Sequence, residues 1–188
     1  MATTTKPDRL HFTGNDEADA LLASDPFALL VGFAIDQQVP VQTAFSGPLK
    51  LKQRLGTLDP GQIAVTDPAT LAQAFREKPA IHRFPGSMAQ RVQDLATHVV
   101  REYGGEAGRL WEEAGDGEEL QRRIKALPGF GEMKIKALSG VLAKRFGISA
   151  AKEVAPNHPT LGDVDSPEAL ASYQEKKRAY KARLRAES

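Results

Sequence analysis

Along most of the chain apolar residues recur three and four positions apart, and no segment alternates with period two in Val, Ile and Thr, so the pattern predicts an all-α protein. The most apolar run, Phe27 to Ile35, is broken only by Gly32 and stops abruptly at Asp36. A helix that is apolar all round is one the fold buries. The run falls short of the roughly 18 apolar residues a membrane span needs. Ser24 and Asp25 can cap it, with Pro26 in a first turn that needs no N–H. The clearest amphipathic helix starts at a Ser87 cap. It places Met88, Val92, Leu95, Ala96, Val99 and Tyr103 on one face, puts Gln90, Arg91, Asp94 and Arg101 outside, and ends at Gly104-Gly105.

The remaining elements follow from caps and breakers. Residues 1–12 read as a loose lead-in before a helix over Asp16 to Ala23. Val39-Pro40 opens a helix to about Phe45, a Gly47-Pro48 break follows, and a basic helix runs from Leu49 to Leu55. Asp59-Pro60 and Asp67-Pro68 are capped starts, and Lys78 to Gly86 is a loop. Helices are expected around Ala107–Glu113, over Glu118–Ala126 and over Lys134–Phe146. The chain then loosens after Ile148, and a last helix follows Ser166-Pro167.

Composition changes this picture in two places. The chain has no cysteine, which removes disulfides, thiolate metal sites and cysteine-held iron–sulfur clusters, and its four histidines are scattered. No metal or cofactor is expected. Met1 to Arg9 has no apolar core of the signal-peptide kind, so a cytoplasmic location is the default. The net charge of +1 hides a segregation. Gln121 to Gly147 holds seven bases against Glu132, and Glu106 to Glu119 holds six acids against Arg109. Such polarity suits a polyanion, although a solvated helix face gives the same pattern.

Between two of the predicted helices stands Leu127-Pro128-Gly129-Phe130-Gly131. Pro128 stops the first helix, and Gly129 and Gly131 are read as turning with positive φ and bringing backbone close to a surface. The next helix then offers free N–H groups to a phosphate, with Lys134 and Lys136 beside it. Leu127, Phe130, Ile135 and Leu138 are read as packing the two helices together.

This segment resembles the helix-hairpin-helix of the base-excision DNA glycosylases. Pro26 to Thr43 is similar to that family's buried helix ending in a glutamine turn, and Arg83 to Gly105 to its middle helix. The resemblance covers roughly residues 25–147. It implies an all-α, two-lobed glycosylase fold, with 25–145 as a helical barrel carrying the hairpin (117–146) and 1–24 plus 146–188 as a second lobe. It also implies double-stranded DNA as partner, met by a monomer associated with the nucleoid. Gly129, Phe130, Gly131, Lys134 and Lys136 would meet DNA, as would Arg83, while His82 lines the cleft or the surface. Gln37 and Gln38 would fill the space left by an extruded nucleotide, or else merely cap a helix end.

In the family an aspartate about twenty residues after the second hairpin glycine stabilises the sugar cation. The corresponding window, Ala150 to Asn157, holds none. Glu153 is the nearest carboxylate, with Asp163 and Asp165 further on. Asp36, ending a buried helix, is an independent candidate or a cap for a neighbour. Strand-cutting members carry a nucleophilic lysine where this chain has Met133. Lys134, turned by about 100°, is expected to point at a phosphate. The resemblance therefore implies a monofunctional glycosylase for an alkylated or deaminated base. The alternative is a non-catalytic protein that recognises distorted DNA.

Overall fold

The computed structural model describes residues 6–188, and among these the chain is helical throughout, without a strand. The helices are α1 (Asp16–Ser24), α2 (Pro26–Ile35), α3 (Val41–Leu55), α4 (Pro60–Val65), α5 (Pro68–Arg76) and α6 (Pro85–Tyr103). They continue with α7 (Arg109–Glu112), α8 (Gly117–Lys125), α9 (Glu132–Lys144), α10 (Ser149–Val154) and, after a 3-10 turn at Leu161–Asp163, α11 (Pro167–Ala186).

The hub is α2. Asp25 Oδ1 accepts from the N–H of Phe27 at 2.9 Å and of Ala28 at 3.3 Å, and every residue from Phe27 to Ile35 is buried among α1, α3 and α6. Each large apolar side chain so buried contributes about 1.5–3 kcal/mol, which fixes the place where the end of the helix, Asp36, emerges. Asp25→Ala removes the acceptor for two first-turn N–H groups and is expected to cost about 1 kcal/mol. An unchanged urea midpoint would show the cap to be idle.

Three expectations are corrected here. α3 is one helix, although Pro48 lies inside it. A Cβ on Gly47 would come within 2.6 Å of Ile35 Cδ1, and Phe45, Pro48 and Leu51 are buried, so packing on α2 outweighs one lost hydrogen bond. α6 begins at Pro85 rather than after Ser87, using proline's suitability for a first turn. The lead-in is pinned: Leu10 and Phe12 are buried, and the Asp19 carboxylate accepts from Phe12 N (3.2 Å), Thr13 N (3.0 Å) and Thr13 Oγ1 (2.8 Å). Residues 1–5 of that segment lie outside the described residues.

The chain also does not loosen directly after Ile148. α10 packs on α8 and α9 through Ala150 and Ala151, small residues with no strong periodicity. After it, Thr160 and Asp163 cap the 3-10 turn reciprocally, and Ser166 caps α11. The broad helix contacts run among α1–α6 and among α7–α11. For the lobes expected from the resemblance, α1 packs on α2 and α3, whereas Leu22 and Ala23 share a hollow with Phe146 and Ile148. We keep the division into 25–145 and the two chain ends as a proposal. No single described helix is long and apolar enough to cross a membrane.

Candidate functional site

The hairpin between α8 and α9 has the packing that the sequence predicted, with Leu127, Phe130, Ile135 and Leu138 all buried. Phe130 is 6% exposed, so its ring holds the hairpin together and offers little surface to a ligand. Gly129 turns with φ 80°, but Gly131 does not share that conformation. It is extended, φ −95° and ψ −176°, and a Cβ there would meet nothing within 4 Å. Glycine at 131 therefore leaves open space over the start of α9, where no side chain caps the backbone N–H groups. Lys136 is exposed on the same helix, as is Met133.

Lys134 does not point outward as expected. Its Nζ donates to the carbonyl of Ala34 at 2.9 Å and of Gly129 at 3.3 Å, making it a strut between the hairpin and α2. Burial, and then Arg91, bring its pKa down to about 8, against the opposing pull of Asp36. Between there and the unfolded value of 10.5 the unfolded chain binds a proton that the folded protein lacks. Stability owed to this site thus rises with pH across that window. The difference in melting temperature between the wild type and Lys134→Gln is expected to shift in favour of the wild type from pH 8 to 10.5. A pH-independent difference would contradict it.

The glutamine turn is held from two sides. His82, buried, donates from Nε2 to the carbonyl of Gln37 at 2.9 Å, while its Nδ1 accepts from Phe84 N at 3.0 Å. These two bonds fix a neutral tautomer, and burial lowers its pKa. Arg91, which periodicity put on the outer face of α6, reaches Gln37 Oε1 at 2.6 Å and Ala34 O at 3.3 Å. It also lies where a Cβ on Gly129 would fall, within 2.8 Å. Gln38 is exposed with φ 59°, a left-handed conformation that costs a residue with a side chain roughly 1–2 kcal/mol. Arg83 and Phe84 are exposed next to His82, the guanidinium 5.0 Å from the ring centre. The turn thus presents Gln38, Arg83 and Phe84 together.

Asp36 ends α2, half-buried, within charge range of Lys134 on α9 and of Lys177 and Lys181 on α11. Burial raises its pKa, opposed by Lys177, Lys134 and Lys181. Tyr173 is buried beside it, its hydroxyl pushed up to about 12 by burial first and then by the Asp36 and Asp163 charges. The reading of the sequence missed Arg91, Tyr173, Lys177 and Lys181, none of which belongs to a recognisable local motif.

The other carboxylates have structural partners. Glu153 accepts from Gly117 N at 2.8 Å, at the start of α8, so the structure gives it the work of a helix cap. Asp163, exposed, accepts from Thr160 N at 2.8 Å and pairs with Lys144, whose hydrogen bond helps hold its carboxyl below the usual range against partial desolvation. The segregated charges also partly cancel, because Glu119 pairs with Arg123 at 2.6 Å and Glu118 with Arg122 at 3.9 Å. Sequence blocks of opposite sign become (i, i+4) pairs wherever a helix turn spans them.

A family model described as HhH-GPD superfamily base excision DNA repair protein matches residues 31–180, from the middle of α2 into the second half of α11. The chain belongs to the HhH-GPD superfamily. No curated protein and no solved structure matches it. The HhH-GPD match takes in Asp36, the glutamine turn, the hairpin and Lys177. Membership makes base excision DNA repair the protein's field of action.

Proposed function

We propose that the protein is a monofunctional DNA glycosylase that removes a damaged base, alkylated or deaminated, from double-stranded DNA, with Asp36 as the carboxylate facing the sugar. The observation that carries this is a half-buried carboxylate at the end of α2, its pKa raised by burial, directly before the glutamine turn and within charge range of Lys134 on α9. Cleaving a glycosidic bond leaves positive charge on the sugar, and a preorganised anion in a water-poor site is the strongest stabiliser available. In the proposed division of labour Gly129, Gly131 and Lys136 address the backbone. Gln38, Arg83 and Phe84 occupy the space vacated by the extruded nucleotide, and Gln37, Arg91 and His82 hold that turn rigid. The hydrolytic water replaces an amine nucleophile, since Met133 has none and the Lys134 amine is bound to two carbonyls.

A second reading, a non-catalytic protein that recognises distorted DNA, is favoured by one observation. The window 150–157 has Glu153 as its only carboxylate, and that group is occupied at Gly117. Incubation with a panel of duplexes bearing single lesions, followed by hot alkali to cut abasic sites, separates the two. Cleavage of one class of lesion supports the glycosylase. Tight binding to distorted duplex with no cleavage of any lesion replaces it by the second reading.

A further inference from the structure

The second half of α11 carries Lys176, Lys177, Arg178, Lys181, Arg183 and Arg185, and among the described residues none of these makes an ion pair. The first half is anchored. Leu170 and Tyr173 are buried, and Gln174 exchanges two amide hydrogen bonds with Gln42 of α3, at 3.0 and 3.3 Å. From Glu175 onward every residue is exposed except Lys177, which is half-buried with Nζ 5.7 Å from the Tyr173 ring centre.

At about 100° per residue, Leu170, Tyr173, Gln174, Lys177, Lys181 and Leu184 share one side of the helix. Glu175, Ala179, Ala182 and Ala186 lie on the other. The side that begins as core thus continues, beyond the anchor, as Lys177 and Lys181, whose charges act on Asp36. Lys177 and Lys181 are one turn apart and repel each other, and together with Lys134 they set three cations against the single carboxylate of Asp36. A helix that only needed solvent would interleave acids with its bases. Here six cations stand against the single acid Glu175 up to Ala186, with Lys177 and Lys181 continuing the anchored side and Lys176 and Arg183 off it, an arrangement that suits a row of phosphates.

We propose that the second half of α11 is a phosphate-binding arm, whose Lys177–Lys181 side grips the backbone of duplex DNA next to the extruded nucleotide, so that α9 and α11 hold the duplex together. The proposal rests on the reading of the protein as one that binds duplex DNA.

Three full-length variants test it against the wild type: Lys181→Gln, Lys177→Gln/Lys181→Gln, and Lys176→Gln/Arg183→Gln. The last removes the same charge from another side of the same helix. Duplex affinity is measured from about 50 to 200 mM salt, with circular dichroism to confirm equal helix content. Each lost phosphate contact lowers the slope of log affinity against log salt by about 0.9. The expected losses are therefore about 0.9 for the single variant, about 1.8 for the Lys177/Lys181 pair and close to none for the Lys176/Arg183 pair. Equal slopes in the Lys177/Lys181 variant and the wild type would overturn the arm, and so would equal losses in the two double variants. Salt-independent or absent duplex binding by the wild type itself would remove the underlying reading along with the arm, and is distinguished by that measurement alone.

Discussion

Asp36→Asn is expected to lose base release by about 100-fold or more, to bind lesion duplex as the wild type does, and to melt at a higher temperature near neutral pH. The first effect follows from removing the anion that meets the sugar's developing charge while keeping the side chain's shape. The third follows from the direction of the pKa shift. Burial raises the folded value of Asp36 above its unfolded one, so the stability linked to it is present at low pH and is lost as pH rises through the folded value. At neutral pH the ionised carboxylate costs stability that an amide does not. A residue that merely capped a helix would lower the melting temperature when changed, so the two roles give opposite signs. The same shift makes wild-type cleavage fall off on the acid side at a pH above the ordinary aspartate value. Glu153→Gln is the comparison. It weakens the start of α8 by about 1 kcal/mol and is expected to leave cleavage intact. Loss of cleavage in Glu153→Gln alone, with Asp36→Asn active, would reverse the assignment.

Gly131→Val is expected to weaken binding to every duplex by about 10- to 100-fold without altering the melting temperature. That range corresponds to losing one charge-assisted hydrogen bond to a phosphate, about 1.5–3 kcal/mol. The fold tolerates the change because the backbone at 131 is extended and its Cβ position faces open space. DNA does not, because the added methyl groups fill the approach to the first N–H groups of α9. Gly129→Val behaves differently. Its φ of 80° strains a branched side chain, and the new Cβ would fall 2.8 Å from Arg91, so a fall in stability accompanies any loss of binding there. Binding of Gly131→Val equal to wild type, or a loss confined to one base sequence, would contradict the phosphate site.

What the sequence revealed and what it hid divide along the reach of the interactions concerned. The hairpin was legible because proline, two glycines and four apolar neighbours define it within twelve residues, and α2 was legible because unbroken apolarity has one destination. Lys134 was not. Its register sets it one residue past Met133, but its direction depends on the carbonyl of Ala34, a hundred residues earlier in the chain. Spacing likewise located Glu153 but could not show that Gly117, thirty-six residues upstream, uses its carboxylate. α3 was divided on the strength of Gly47-Pro48, a local rule that a contact with Ile35 overrides. Arg91 looked solvent-facing from the period of α6 alone. Its length lets the guanidinium reach the glutamine turn.

The attachment of α11 by Leu170, Tyr173 and the Gln42–Gln174 amides also grades the helix in local stability. Amides in its first turns open only when those contacts break, whereas residues beyond Glu175 have almost no buried apolar surface to hold them. Protection against hydrogen exchange therefore falls along the helix from the anchor to Ala186. The boundary is expected near Gln174, the last residue of α11 bonded to α3, with the positively charged remainder fraying first.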